Sequence, residues 1–138
     1  MKTFVVSAVS IVLVSILFCP MAMAAPGMPD GLQIVQPDPS LPKELSAFFG
    51  KWEGSAMSIE YFLIVEKIDE EKASLWVWRS GHGDIPRGWQ STQARVVKER
   101  GKYALNFGSR FGKVTLTLKG EYLDSSGGGD SLRYKRVP

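Results

Sequence analysis

Cysteine is almost absent from this sequence. The 138-residue chain contains one cysteine, Cys19, and one histidine, His82. Cys19 lies in an apolar N-terminal stretch that we expect to be removed, so the remaining chain has no cysteine. No disulfide can therefore cross-link it, and the folded domain must be stabilised by packing of its hydrophobic core.

A large excess of charge is also missing. Without Lys2, which lies in the N-terminal stretch, 16 basic residues face 14 acidic ones, and the basic residues are dispersed along the chain. Nucleic-acid binders depend on a clustered basic surface for their affinity. The charge distribution therefore argues against a nucleic-acid partner.

Residues 1–24 have the pattern of a secretory signal peptide. Lys2 precedes an apolar run from Phe4 to Phe18, and the small residues Ala-Met-Ala follow, which predicts cleavage after Ala24. A membrane anchor is the alternative, but a spanning helix needs about 20 apolar residues and this run is shorter. Bulky Phe18 before Cys19 disfavours a lipid-anchor site. We expect a periplasmic or secreted protein with no membrane anchor after cleavage.

The rest of the chain divides into a lead-in and one domain. Residues 25–42 contain five prolines and two glycines with little apolar periodicity. We expect residues 25–40 to be a Pro-rich, flexible lead-in without apolar contacts, and residues 41–138 to fold as the domain. The stretch LPKELSAFF places its apolar residues at helical spacing, and Gly50 follows it, which predicts a short helix.

From Trp52 onward the apolar period changes from helical to two, with turn residues at short intervals. The pattern predicts an all-β fold with strands at 51–57, 60–68, 73–79, 89–98, 102–107, 113–119, 121–125 and 131–137. In KVTLTLK, Val114, Leu116 and Leu118 share one face. Hairpin-length connections favour an eight-stranded up-and-down antiparallel barrel preceded by a short capping helix, because closure removes the exposed sheet edges. An eight-stranded sandwich is the alternative, and the lack of long crossings disfavours it.

The order of these features resembles the calycin superfamily of lipocalin-like and avidin-like barrels. A short helix leads into Gly50-Lys51-Trp52, a first strand follows, and the last strand carries a late arginine, Arg136. The resemblance implies that Trp52 plugs the closed end of the barrel and that Arg136 packs over its ring. A guanidinium over an indole is also favourable on physical grounds, and Gly50 permits an abrupt change of chain direction.

The stretch LWVWRSGHGDIPRGW contains three of the four tryptophans and the one histidine. Both faces of its strand are apolar, since Leu75 and Val77 alternate with Trp76 and Trp78. The larger indoles favour an inward Trp face, which would place a ligand site at the barrel mouth. The alternative is that the indoles are core fillers. The candidate ligand-binding residues are Trp76, Trp78, Trp89, Tyr61, Tyr103, His82 and Arg87.

No residue set predicts a reaction, a metal site or a cofactor. His82 and Asp84 are two potential ligands without a third at suitable spacing, and catalytic zinc needs three protein ligands. We therefore expect no catalytic residues, no metal and no cofactor, although a hydrolytic enzyme stays an open alternative.

Two functions fit the predicted architecture. The first is a monomeric barrel that binds a small apolar or amphipathic ligand in its mouth. The second is a protein-binding barrel, such as an inhibitor of a secreted hydrolase, because ELSAFFGKW is similar to the entry into the first strand of small bacterial metalloprotease inhibitors. The interior volume and the state of the lead-in distinguish the two.

Overall fold

The computed structural model describes residues 26–129 and 131–138, so the predicted signal peptide lies outside the described residues. One short helix, α1 (Lys43–Ser46), precedes eight strands. No helix in the described ranges is long and apolar enough to cross a membrane. The strands are β1 (Gly50–Ala56), β2 (Ile59–Ile68), β3 (Lys72–Arg79), β4 (Gly88–Glu99), β5 (Lys102–Ser109), β6 (Gly112–Lys119), β7 (Tyr122–Gly127) and β8 (Leu132–Val137).

The strands form a closed, up-and-down antiparallel barrel, which confirms the predicted fold class. Each strand pairs with the next, and β8 closes the sheet by pairing with β1, where Trp52 lies opposite Arg136. This closing pair excludes the sandwich alternative. The architecture is compatible with a calycin-like fold.

The period-two pattern places one set of side chains inside the barrel. The inward residues of β6 include Val114 and Leu116, which pair with Phe107 and Leu105 of β5, and Leu105 is fully buried. Among the described residues the buried set is apolar, with no buried charged or polar residue. The core is therefore held by hydrophobic packing, as a chain without disulfides requires.

Trp52 and α1 close one end of the barrel. The Trp52 side chain is 1% exposed, and its Nε1 donates a 3.0 Å hydrogen bond to the carbonyl oxygen of Phe48. The guanidinium of Arg136 lies 4.2 Å from the centre of the Trp52 ring and donates to the carbonyl oxygens of Ala47 and Phe49. These carbonyls follow a helix end and lack helical partners. Arg136 thus ties the helix to the barrel.

Gly50 makes this closed end sterically possible. Its φ of +119° lies where side chains are strained, and a Cβ there would be 2.9 Å from Nη1 of Arg136. Only glycine combines this backbone geometry with room for the guanidinium.

Replacing Trp52 with Ala should lower the free energy of unfolding by about 3–5 kcal/mol, because the change removes a buried aromatic ring and its cation–π contact with Arg136. Chemical denaturation followed by circular dichroism measures the difference. Met57→Ala is the control, since Met57 is 80% exposed and its loss should change stability by no more than about 0.5 kcal/mol. A Trp52→Ala cost below about 1 kcal/mol would contradict this description of the closed end.

Candidate functional site

A cavity of about 300 Å³ opens at the end of the barrel opposite Trp52. This end, here called the mouth, is where the connections β1–β2, β3–β4, β5–β6 and β7–β8 lie. Most of the side chains around the cavity are apolar. Its lining consists of Ala56, Ile59, Tyr61, Val77, Arg79, Ile85, Phe107, Ser109, Phe111, Val114, Ser125, Gly127, Gly128, Gly129, Leu132 and Tyr134.

Small inward residues leave this space unfilled. Along β1 the inward positions run from Trp52 through Gly54 to Ala56, so side-chain volume falls from the closed end toward the mouth. A Cβ at Gly54 would lie 2.7 Å from the carbonyl oxygen of Arg133, so strand β8 packs closely there. On β7, Ser125 and Gly127 continue the series of small residues. The taper of residue size creates the cavity.

Arg79 supplies a cation to this largely apolar site. Ala73, Leu75 and Val77 of β3 pack on the core, so the two-residue alternation brings Arg79 to the same inner face. Its neighbour across the sheet is Tyr61, which also lines the cavity. The site therefore combines an apolar wall with one guanidinium.

Two tyrosines meet inside the barrel. Tyr134 is 5% exposed, and burial raises the pKa of its hydroxyl above the usual value of 10.0, with a smaller contribution from nearby Tyr61. Desolvation disfavours the phenolate because the charged form loses its hydration. The hydroxyl of Tyr134 is therefore neutral over the physiological pH range.

Trp76 and Trp78 lie on the outside of the barrel, contrary to the expected inward orientation. Trp76 pairs with Ile64 and Trp78 with Phe62 across β2, whereas Val77 pairs with the buried Leu63. Trp89 of β4 is the neighbour of Trp78. We call this set the outer aromatic face; it consists of Phe62, Ile64, Trp76, Trp78 and Trp89. It contributes nothing to the mouth cavity.

The lead-in lies along the wall beside the outer aromatic face. The Nε1 of Trp89 donates to the carbonyl oxygen of Gly27 at 2.8 Å, and Pro29 is buried. Pro26 and Met28 border a small cavity with Ile64 and Trp89. The expectation that this segment makes no apolar contacts is therefore wrong. Its mobility in solution stays a prediction.

Glu66 fixes the other part of the lead-in. A shift in the β2–β3 register between Val65 and Lys67 leaves Glu66 outside the ladder. Its carbonyl oxygen accepts from the backbone N–H of Val35 at 2.8 Å. Its carboxylate accepts from the N–H of Gln33 and from Nε1 of Trp76, both at 2.9 Å. The lead-in, with Pro26 and Met28 close to Ile64, explains how Ile64 is buried on an outer face. Trp78 is buried there with Phe62 and Arg87 packed on its ring.

The other predicted site residues are dispersed. Tyr103 packs against the core, with the ammonium of Lys98 4.9 Å from its ring centre, and it does not line the cavity. Arg87 stacks 5.4 Å from the ring centre of Trp78 on the outer aromatic face. His82 pairs with Ile85 through backbone hydrogen bonds. Of the predicted ligand-binding residues, Tyr61 alone lines the mouth.

Metal ligands do not cluster in the part of the chain that the structure describes. No group of three or more His, Cys, Asp or Glu side chains there could hold an ion. His82 and Asp84 thus gain no third ligand from the fold. The cavity contains a guanidinium and hydroxyls, which are poor ligands for a metal ion.

Sequence reasoning missed most residues of the mouth. Phe111 is 51% exposed at the β5–β6 hairpin, and Ile85 belongs to the β3–β4 connection. An apolar residue in a turn is a usable signal, because turns otherwise favour polar residues. Arg79 was detectable only after the inner face of β3 was known.

A wider depression of about 670 Å³ lies on the outer wall. Its cations already have partners: Arg133 contacts Asp124 at 2.7 Å, and Lys135 contacts Glu53 at 3.0 Å. The ring of Tyr122 stacks under Arg133. This depression therefore presents a paired, solvated surface rather than an apolar binding site.

A scan against protein-family models, a search of curated proteins and a search of solved structures each found no match.

Tyr134 should make stability fall in alkaline solution. Because its pKa is raised in the folded protein, its contribution is complete below about pH 10 and declines above that value, by at most about 1.4 kcal/mol per pH unit. Urea denaturation between pH 8 and 11.5 should show a smaller decline in Tyr134→Phe than in the wild type. Tyr122→Phe is the control, because Tyr122 is 47% exposed. If the free energy of unfolding falls equally steeply with pH in Tyr134→Phe and in the wild type, the alkaline loss of stability does not come from Tyr134.

Glu66→Ala should release the lead-in, because it removes the carboxylate that accepts from Gln33. Loss of a hydrogen bond of about 1 kcal/mol corresponds to an approximately fivefold rise in the population in which the lead-in is detached from the barrel wall. Thermolysin cleavage between residues 31 and 36, followed by mass spectrometry, measures this population. Glu70→Ala in the exposed β2–β3 turn is the matched control. Equal cleavage rates in the two variants would show that Glu66 does not hold the segment.

Proposed function

We propose that this chain is an exported, calycin-like β-barrel that binds a small apolar or amphipathic molecule in the barrel mouth, in the periplasm or outside the cell. The observation that supports the proposal is the cavity of about 300 Å³ at the mouth. Concave, mostly apolar sites with a few polar groups are typical of small-molecule binding. No catalytic role is proposed for any residue.

The size of the cavity limits the ligand. A water molecule occupies about 30 Å³ in the liquid, so the cavity accommodates on the order of ten non-hydrogen atoms. The phenyl and aliphatic side chains of Phe107, Val77 and Ile59 offer an apolar surface to such a molecule. Binding would be driven by the release of water from this surface.

The second candidate function is that of a protein-binding barrel, such as an inhibitor of a secreted hydrolase. It is favoured by the exposed apolar residues of the lead-in, Met28 at 55% and Ile34 and Val35 at 44% each. Against it, the lead-in is held along the barrel wall at Gly27, Gln33 and Val35 rather than projecting from it. The ligand-binding function is therefore the better supported.

Filling the cavity should abolish ligand binding. Val77→Phe places a ring in the mouth, whereas Val97→Phe makes the same change on the other face of the sheet, in phase with the exposed Arg95. Octan-1-ol, with nine non-hydrogen atoms, is the probe, and its binding is followed by chemical-shift titration. We expect at least a tenfold loss of affinity in Val77→Phe and less than a twofold change in Val97→Phe.

Equal affinities of the two variants would contradict binding in the mouth. Native mass spectrometry of the protein from its own host provides an independent comparison. A co-purified small molecule that Val77→Phe loses and Val97→Phe keeps supports the proposal. A co-purified protein that both variants keep favours the second candidate.

A further inference from the structure

We propose that the mouth cavity selects an amphipathic anion, whose apolar part fills the cavity and whose anionic group binds the guanidinium of Arg79. This inference rests on the proposed ligand-binding function and specifies the chemistry of the ligand. It concerns a residue that the sequence did not indicate as part of the site.

Four other arginines of the domain already contact an aromatic ring or a carboxylate. Arg136 stacks on Trp52, Arg133 pairs with Asp124, and Arg87 stacks on Trp78. Arg110 lies over Phe111 at 5.8 Å. The backbone of Arg79 pairs with Tyr61 and Gly88, but its guanidinium makes no hydrogen bond or ion pair with any residue that the structure describes. It is thus a cation available to a ligand.

The wall of the cavity contains no described residue that could neutralise Arg79. Its lining includes no aspartate or glutamate, and its neutral polar side chains belong to Ser109, Ser125, Tyr61 and Tyr134. The hydroxyl of Ser109 donates to the carbonyl oxygen of Gly112 and accepts from the N–H of Phe111. Burial keeps Tyr134 neutral. Among the described lining residues, Arg79 is therefore the one that carries a charge.

A guanidinium beside an apolar cavity favours a planar anion on an apolar chain. Arginine presents its N–H groups as a fork that matches the two oxygens of a carboxylate, and such charge-assisted hydrogen bonds are about twice as strong as neutral ones. The lining side chains Ile59, Val77 and Phe107 would surround the chain. A carboxylate with about eight carbons fits both the charge and the volume of the site.

Three probes with the same chain separate charge from size. Octanoate, octan-1-ol and octylammonium share an eight-carbon chain and carry a negative charge, no charge and a positive charge at pH 7. Titration calorimetry on the wild type should show octanoate binding at least tenfold tighter than octan-1-ol, with octylammonium weakest. Alcohol binding equal to or tighter than octanoate binding would overturn the selection for an anion while leaving the mouth as a binding site.

Variants assign the preference to Arg79. Arg79→Gln should reduce octanoate affinity at least tenfold and leave octan-1-ol affinity within twofold, and Arg79→Lys should restore most of the preference. Arg110→Gln removes the same charge at the same end of the barrel and should have less than a twofold effect. If Arg110→Gln reduces octanoate affinity as much as Arg79→Gln does, the positive charge of this barrel end as a whole selects the ligand rather than Arg79, and the inference fails.

Asp130 lies outside the described residues, yet it follows Gly129 of the lining in sequence. Asp130→Asn should leave octanoate affinity within twofold of the wild type. A tenfold gain would show that Arg79 already has a carboxylate partner in the free protein and would overturn the inference. If none of the three probes binds the wild type, the proposed function fails together with it.

Discussion

The contact between Arg136 and Trp52 determines which end of this barrel is closed. The guanidinium of Arg136 stacks on the indole and also donates hydrogen bonds to two carbonyl oxygens that follow the helix. In a domain without disulfides, this arrangement joins the first strand, the last strand and α1 in one place. The side chains of the hydrophobic core pack closely against this closed end.

The mouth follows from the same distribution of side chains. Trp52, Phe48 and Leu45 are buried at the closed end, whereas Ala56 and Ser125 line the other end. A barrel with eight strands has an interior that side chains can just fill, so small residues at one end leave a cavity there. The packed closed end and the proposed ligand site thus lie at opposite ends of one fold.

The sequence predicted the fold well because its signals are local. Turn residues and the alternation in KVTLTLK are sufficient to locate β6, with Val114 and Leu116 inward. The site was predicted poorly because β3 is apolar on both faces. On its outer face, Trp76 shares the Glu66 carboxylate with Gln33 of the lead-in, which lies more than 30 residues away in sequence. Because the indoles were expected to face inward, Arg79, which alternates with them along β3, was expected to face outward. This single error in strand orientation left Arg79 out of the predicted site.

An isotope-filtered NOE spectrum of labelled protein with unlabelled octan-1-ol tests the central claim most directly, because it locates the bound chain. Binding in the mouth predicts cross-peaks from the alkyl protons to Val77, Phe107 and Ile59, which line the cavity. Cross-peaks confined to Trp76 and Trp89, on the outer aromatic face, would contradict it.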